Sequence, residues 1–169
     1  MTVPNIISLL RIALIPLFVA LLLVPSIENR IAASIIFALL AASDALDGYL
    51  ARRLNAVSVF GKFIDPLADK ILVISALLAL IELNAASSIP VMIIVAREFI
   101  VTAFRLSAAG KGVVIPAEIL GKLKTVMQMA AVLWLMLVWP YGTVVLWIAV
   151  LMTVISGVDY LCRSWGKVF

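Results

Sequence analysis

The chain has 169 residues, of which 66% are hydrophobic and 13% are charged, whereas about half of the residues of an ordinary soluble domain are apolar. This composition excludes an ordinary soluble domain, and the single cysteine excludes an intramolecular disulfide. The formal net charge of +4 is spread along the chain rather than concentrated in one basic run, so we expect no nucleic-acid partner.

Long apolar stretches follow one another along almost the whole chain. A helix needs about 20 apolar residues to cross a bilayer. Candidate spans are 5–24, 31–50, 65–83, 89–108, 117–138 and 142–161. We therefore predict an all-α, integral membrane bundle of six transmembrane helices, forming a single domain over 1–169. The first run is too long, and its flank too poor in basic residues, for a cleavable signal peptide, so we expect a retained helix.

The distribution of basic residues predicts how the bundle is oriented. One set of connections and the C-terminal end carry most of them: Arg52, Arg53, Lys62, Lys111, Lys122, Lys124, Arg163 and Lys167. The opposite connections, near 25–30, 82–88 and 139–142, carry only Arg30. Because cytoplasmic loops are enriched in lysine and arginine, we expect a multi-pass protein of the cell (inner) membrane with both termini in the cytoplasm.

The first span contains one charged residue, Arg11, within its apolar run. Arg11 lies one to two turns inside the apolar run, and Asn5 precedes it on the same helix. One interpretation is an arginine that snorkels to the membrane interface. The other is that Asn5 and Arg11 turn inward toward a functional site.

Four aspartates lie where the second span ends and the third begins. Asp44 and Asp47 share a helical stripe, and Asp65 and Asp69 are four residues apart on the next helix. The first stripe also includes Gly48, Ala51 and Arg52. A short loop joins the two helices, so we expect antiparallel neighbours whose four carboxylates converge just below the cytoplasmic surface.

Convergent carboxylates in a membrane would repel one another and would be costly to desolvate unless a ligand compensates them. The chain has no histidine, so the donors favour hard cations, with Mg²⁺ first and Mn²⁺ second. Four carboxylates can hold two such ions about 3.5–4 Å apart, the spacing of two-metal phosphoryl-transfer sites.

Residues beside the acids predict a niche for a phosphate. Gly48 and Ala51 are small enough to let a ligand approach the helix backbone. Arg52 offers a planar guanidinium for a phosphate. Ser58, in the connecting loop, is a candidate polar contact to a nucleotide.

The pattern Asp44-x2-Asp47-Gly48-x2-Ala51-Arg52-x8-Gly61-x3-Asp65-x3-Asp69 resembles, without a departure, the signature of the CDP-alcohol phosphatidyltransferases. The resemblance implies that the four aspartates bind two divalent metals and that the motif cradles the diphosphate of the CDP-linked donor. It also implies that Asp69 is the general base toward the acceptor alcohol, and that the protein is a homodimer. The predicted site for CDP-diacylglycerol comprises Asn5, Asp47, Gly48, Ala51, Arg52, Ser58 and Gly61.

The fourth span carries a second group of charges. Glu98 and Arg105 share a helical face, and Arg97 is offset from that face by about 100°. Ionisable residues inside a membrane are functional candidates because their burial is costly. A purely structural Glu98–Arg105 ion pair is the alternative.

Two lysines near the start of the fifth span extend the basic group. Lys122 and Lys124 are two residues apart and diverge on a helix, so the pattern does not decide which of them enters a site. With Arg97 and Arg105, one of them would form a receptor for a phosphate on the second substrate. Lys70, next to Asp69, points about 100° away from it and is interpreted as an interfacial or structural charge.

The segment REFIVTAFRLSAAGKGVVIPAEILGKLKT resembles the bacterial members of the family whose acceptor is sn-glycerol 3-phosphate. That resemblance implies transfer of a phosphatidyl group from CDP-diacylglycerol to glycerol 3-phosphate within the membrane. An inositol-phosphate acceptor is the nearest alternative. A transporter of divalent metals or protons is the alternative from another class, although it would need no niche of phosphate size.

Overall fold

The structure is a computed structural model, and it describes residues 3–53, 59–111 and 119–168. Side chains are described over 9–43, at 68, and over 70–111 and 119–166. Within these ranges the chain forms helices and no strand. In chain order they are α1 (Val3–Leu23), α2 (Ile27–Arg53), α3 (Val59–Glu82), α4 (Ser88–Gly110), α5 (Ile119–Met136) and α6 (Gly142–Val168).

The described helices coincide with the six apolar stretches, which confirms the all-α prediction. Among the residues whose side chains are described, two helical segments are long and apolar enough to cross a membrane by length and composition, Ile119–Met136 and Gly142–Gly166. Within the same residues a further apolar helical segment covers Leu9–Leu23 of α1. Charged residues interrupt α4 at Arg97, Glu98 and Arg105, so that helix is less uniformly apolar than α5 or α6.

Tight turns end two of the helices. After α3, Asn84 has a φ of 55°, and Ala85 N–H donates to Leu80 O at 2.9 Å. After α5, Val138 has the same φ of 55° in the corresponding position. In both turns a residue in the left-handed conformation lets the next N–H donate to a carbonyl in the last turn of the helix. Asparagine tolerates this conformation better than a β-branched residue such as valine.

The helices pack as one bundle. α1 lies against α2 and α3, α6 lies against α4 and α5, and α5 also contacts α2 and α3. The main core is built from apolar side chains of all six helices, among them Phe18, Phe37, Leu72, Ile94, Val132 and Leu146. Phe18 and Phe37 are fully buried, with ring centroids 5.8 Å apart, and join α1 to α2.

The outer surface carries many large apolar side chains. Leu17, Leu39, Met92 and Phe99 are each more than 60% exposed. A surface with so many exposed large apolar side chains suits contact with lipid. Trp139 and Tyr141 are also exposed, in the turn between α5 and α6.

One polar pair joins α5 to α6 inside the bundle. Gln128 Nε2 donates to Thr153 Oγ1 at 2.8 Å, and the Thr153 hydroxyl donates to Ala149 O at 2.6 Å. Both side chains are buried. Ser156 follows Thr153 by one helical turn on α6, and its hydroxyl donates to Thr153 O.

Candidate active site

A cavity of about 430 Å³ lies between α3, α4, α5 and α6, and Ala41 of α2 contributes to its wall. Five basic residues and one acid line it: Lys70, Arg97, Arg105, Lys122, Lys124 and Glu98. Among the described residues this lining is strongly positive. A cavity of this charge and size can hold a small phosphorylated molecule.

Glu98 is the anionic centre of the cavity wall. Its side chain is buried, and Oε1 accepts hydrogen bonds from Lys124 Nζ on α5 and from Arg97 Nη1, the latter at 3.1 Å. These two ion pairs offset part of the cost of burying three charges in an apolar bundle. The Lys124–Glu98 pair also links α5 to α4 at the cavity.

Arg97 reaches α6 as well. Its Nη2 donates to Ser156 Oγ at 2.9 Å, and its Nε is buried without a hydrogen-bond partner in the described part of the chain. The helical offset from Glu98 therefore does not keep Arg97 out of the cavity. An arginine side chain is long enough to bend its guanidinium round to the wall that Glu98 faces.

Arg105 does not pair with Glu98, so the alternative of a purely structural Glu98–Arg105 ion pair is wrong. Instead, Arg105 Nε lies 3.4 Å from Tyr160 Oη, and its guanidinium carbon lies 5.3 Å from the centroid of the same ring. Phe104 packs edge-on to Tyr160 and stacks with Trp165 at 6.2 Å. Glu98 pairs with Arg97 and Lys124, whereas Arg105 contacts the aromatic ring of Tyr160 on α6.

The two lysines of α5 take different positions. Lys124 is 7% exposed and pairs with Glu98, whereas Lys122 is exposed, although both line the cavity. The sequence left the choice between them open. The structure makes Lys124 part of the buried wall and Lys122 part of the rim.

Lys70 lines the same cavity, and its interpretation as an interfacial or structural charge stays a prediction. Val73 and Ile74 of α3 also line the wall. Lys70, Val73 and Ile74 are spaced as one helical face. That spacing, together with the place of Lys70 directly after Asp69, is the sequence signal that could have predicted Lys70 as a cavity-lining residue.

The predicted metal ligands lie on the two helices that border this cavity. The described backbone is helical at Asp44 and Asp47 on α2 and at Asp65 and Asp69 on α3, and these two helices contact each other. Their side chains lie outside the described residues. Ala41, one turn before Asp44, and Lys70, next to Asp69, line the cavity.

Most of the predicted CDP-diacylglycerol contacts also fall outside the described side chains. Asn5, Gly48, Ala51, Arg52 and Gly61 lie on described helical backbone, whereas Ser58 lies outside the described residues altogether. Among the side chains that are described, no group of three or more histidine, cysteine, aspartate or glutamate residues is arranged to hold a metal. The four carboxylates remain the predicted donor set, which suits a hard cation.

Arg11 turns into the bundle, so its interpretation as a snorkelling residue is wrong. It is 1% exposed, and its Nη2 lies 3.2 Å from Ser43 Oγ on α2. The Ser43 hydroxyl donates to Leu40 O at 2.8 Å. Arg11 therefore ties α1 to the residue immediately before Asp44.

The fold and the charged cavity beside two aspartate-bearing helices agree with the sequence comparisons. The model of the CDP-alcohol phosphatidyltransferase family matches residues 1–155. The chain belongs to this family.

Several relatives share one name, CDP-diacylglycerol–glycerol-3-phosphate 3-phosphatidyltransferase. The chain is 42% identical to the relative from Bacillus subtilis, over 96% of this chain and 94% of that protein. It is 36% identical to the one from Rickettsia bellii, over 96% of each chain. It is 32% identical to the one from Wigglesworthia glossinidia brevipalpis, over 100% of this chain and 98% of that protein.

Proposed function

We propose that this protein transfers the phosphatidyl group of CDP-diacylglycerol to sn-glycerol 3-phosphate, giving phosphatidylglycerophosphate and CMP. The observation that carries the proposal is the basic cavity next to the helices that bear the four aspartates. The near full-length similarity to relatives named for this reaction supports the choice of substrates.

The acceptor phosphate binds in the basic cavity in this proposal. Lys124 forms the buried part of the receptor, Arg97 lies partly buried beside it, and Arg105 and Lys122 complete it. Guanidinium and ammonium groups bind phosphate by charge-assisted hydrogen bonds. Anchoring the phosphate places the acceptor alcohol for reaction, which lowers the entropic part of the barrier.

The donor binds on the aspartate side. Asp44, Asp47, Asp65 and Asp69 would hold two divalent cations, Mg²⁺ or Mn²⁺, which supply charge neutralisation for the diphosphate. Arg52 holds a donor phosphate, and Gly48 and Ala51 allow the diphosphate to approach α2. Asn5, Ser58 and Gly61 complete the proposed CDP-diacylglycerol site.

Asp69 removes the proton of the acceptor alcohol as its oxygen attacks the phosphorus that bears the diacylglycerol. A new phosphorus–oxygen bond forms to the acceptor, and the bond between that phosphorus and the CMP oxygen breaks. CMP leaves with the negative charge. Lys70 follows Asp69 in sequence and lines the acceptor cavity, so it lies where donor and acceptor would meet.

We further propose that all six helices cross the cell membrane and that the site faces the cytoplasm. The exposed apolar side chains on the bundle surface support the first point. The basic connections support the second. Membrane lipids would contact this surface, and the acyl chains of the donor would lie between helices. The homodimer implied by the family resemblance stays a prediction.

The test is a CMP-release assay on purified protein with CDP-diacylglycerol and Mg²⁺ or Mn²⁺. Glycerol 3-phosphate, inositol phosphate, serine or no acceptor is added in parallel. We expect release with glycerol 3-phosphate only. Release with another acceptor alone would overturn the substrate assignment and keep the reaction class. No release from folded protein that binds the metal would favour the transporter.

Asp69→Asn tests the proposed general base in the same assay. We expect the variant to lose at least about 100-fold in kcat, since general acid–base groups contribute about 10²–10⁴-fold. Glu82→Gln, which removes an exposed acid at the other end of α3, is the matched control and is expected to keep full activity. Wild-type turnover by Asp69→Asn would contradict the role.

A further inference from the structure

The guanidinium of Arg97 rests on the backbone of α6 at Gly157. A Cβ placed on Gly157 would lie 2.9 Å from Arg97 Nε and 3.0 Å from Arg97 Cγ. Real Cβ atoms essentially never show a contact under 3.0 Å, and a contact of 3.0 Å is itself tighter than nine in ten real ones. Cγ belongs to the stem of the side chain rather than to its mobile end, so a side chain at residue 157 would force Arg97 or α6 to shift.

Ser156, the preceding residue, fixes the same guanidinium from a second direction. Its hydroxyl donates to Thr153 O at 3.0 Å, which commits its single proton to the helix backbone. The Ser156 oxygen is thereby oriented as an acceptor for Arg97 Nη2 at 2.9 Å. Ser156 is 3% exposed, so water does not compete for this bond.

Glu98 completes the support from α4. It accepts from Arg97 Nη1 at 3.1 Å, while Nε is buried against Gly157 without a partner among the described residues. Each terminal nitrogen of a guanidinium carries two N–H groups. One N–H on Nη1 and one on Nη2 thus have no acceptor among the described residues, and Arg97 lines the cavity in which an anion would bind.

We propose that Ser156 and Gly157 are positioning residues that set the affinity for the phosphate of the acceptor by holding Arg97. This inference rests on the proposed function, since it assumes an acceptor phosphate in the cavity. A fixed guanidinium loses less side-chain entropy when it binds, and its two free N–H groups match two oxygens of a phosphate. The competing explanation is that residue 157 is small only to let α4 and α6 pack.

The first experiment measures steady-state kinetics for Gly157→Ala and Ser156→Ala. We expect each variant to raise the KM for glycerol 3-phosphate by about tenfold, since misaligning a charge-assisted hydrogen bond to the phosphate weakens binding by roughly that factor. The KM for CDP-diacylglycerol and kcat stay within about twofold of wild type, because only acceptor binding depends on this contact. Gly166→Ala, on the same helix with open space around its Cβ, is the matched control and leaves all three values unchanged.

A purely structural role predicts a different pattern. Loss of helix packing would lower thermal stability and would change both KM values and kcat together. Ser156→Ala guards against misfolding of Gly157→Ala, because it removes an oxygen and introduces no clash. An unchanged KM for the acceptor in both variants, or equal changes for donor and acceptor, would overturn the inference.

The second experiment is a double-mutant cycle with Arg97→Ala. If Gly157 acts through Arg97, then adding Gly157→Ala to the Arg97→Ala background changes the acceptor KM by less than about twofold. A further tenfold increase would show that Gly157 acts independently and would overturn the inference.

Failure of the proposed function is distinguishable from failure of this inference. Wild-type protein that turns over no phosphorylated acceptor overturns both. Wild-type protein that uses such an acceptor, with unchanged KM in the α6 variants, overturns only the positioning role.

Discussion

At the scale of single residues, Glu98 is the side chain on which the cavity depends. It is the one acid in the described cavity lining, and it faces cations from α4 and α5 at once. Its charge keeps Lys124 and Arg97 in place when no substrate phosphate is present. An incoming phosphate then meets cations that are already positioned rather than cations repelling one another.

Glu98→Gln is expected to destabilise the protein by about 3 kcal/mol, because it leaves the buried Lys124 without its counter-charge. Thermal unfolding in detergent measures this loss. Adding Lys124→Met to Glu98→Gln removes the uncompensated charge and is expected to recover part of the stability. Glu82→Gln on an exposed position is the control. Wild-type stability in Glu98→Gln alone would contradict the role of the ion pair.

The sequence predicts the existence of the basic group better than its contacts. Charged residues in an apolar run identify Arg97, Glu98 and Arg105 because burying charge without a function is costly. The pairing within the group depends on rotamers of long side chains, which helical spacing does not fix. Arg97 therefore reaches the wall despite its offset, and Arg105 turns to Tyr160, which lies 55 residues away in sequence.

At the scale of helices, the sequence predicts the six described helices because each contains an apolar stretch of about the length that crosses a bilayer. It does not predict that α6 forms the back wall of the cavity. Ser156, Gly157 and Tyr160 are uncharged and lie in an apolar helix. Only the packing of α6 against α4 reveals their contact with the two arginines.

The polar pair between α5 and α6 makes a prediction about helix association. Thr153→Val leaves buried Gln128 without its acceptor and is expected to cost about 1–2 kcal/mol. Thr143→Val, the same substitution at an exposed site on α6, is expected to change stability by less than about 0.5 kcal/mol. Thermal unfolding of the two variants in the same detergent compares them, and equal stabilities would contradict the importance of the pair.

At the scale of the whole molecule, the charges divide between the two ends of the bundle. The turns at 24–26, 83–87 and 137–141 contain no lysine or arginine, whereas Lys111, Lys122 and Arg163 lie at helix ends on the other connections. A charge difference of this kind orients a membrane protein with its basic end in the cytoplasm. The basic cavity would then receive a water-soluble acceptor from the cytoplasm.

Cysteine labelling tests this orientation. Cys162 is the single cysteine and is exposed near the C-terminal end of α6. We expect a membrane-impermeant maleimide to label it in inverted membrane vesicles and not in intact spheroplasts. Pro140→Cys in a Cys162→Ser background should give the opposite result, since residue 140 lies in an exposed turn at the other end of α6. Labelling of both sites from the same side would contradict six membrane crossings.

The most direct test of the proposed transfer follows both substrates in one reaction. Purified protein with Mg²⁺ receives CDP-diacylglycerol labelled in its cytidine and glycerol 3-phosphate carrying a second label. We predict that the glycerol label enters the lipid fraction in the same molar amount in which the cytidine label is released as CMP. Release of CMP without glycerol label in the lipid would mean transfer to water, and it would contradict glycerol 3-phosphate as the acceptor.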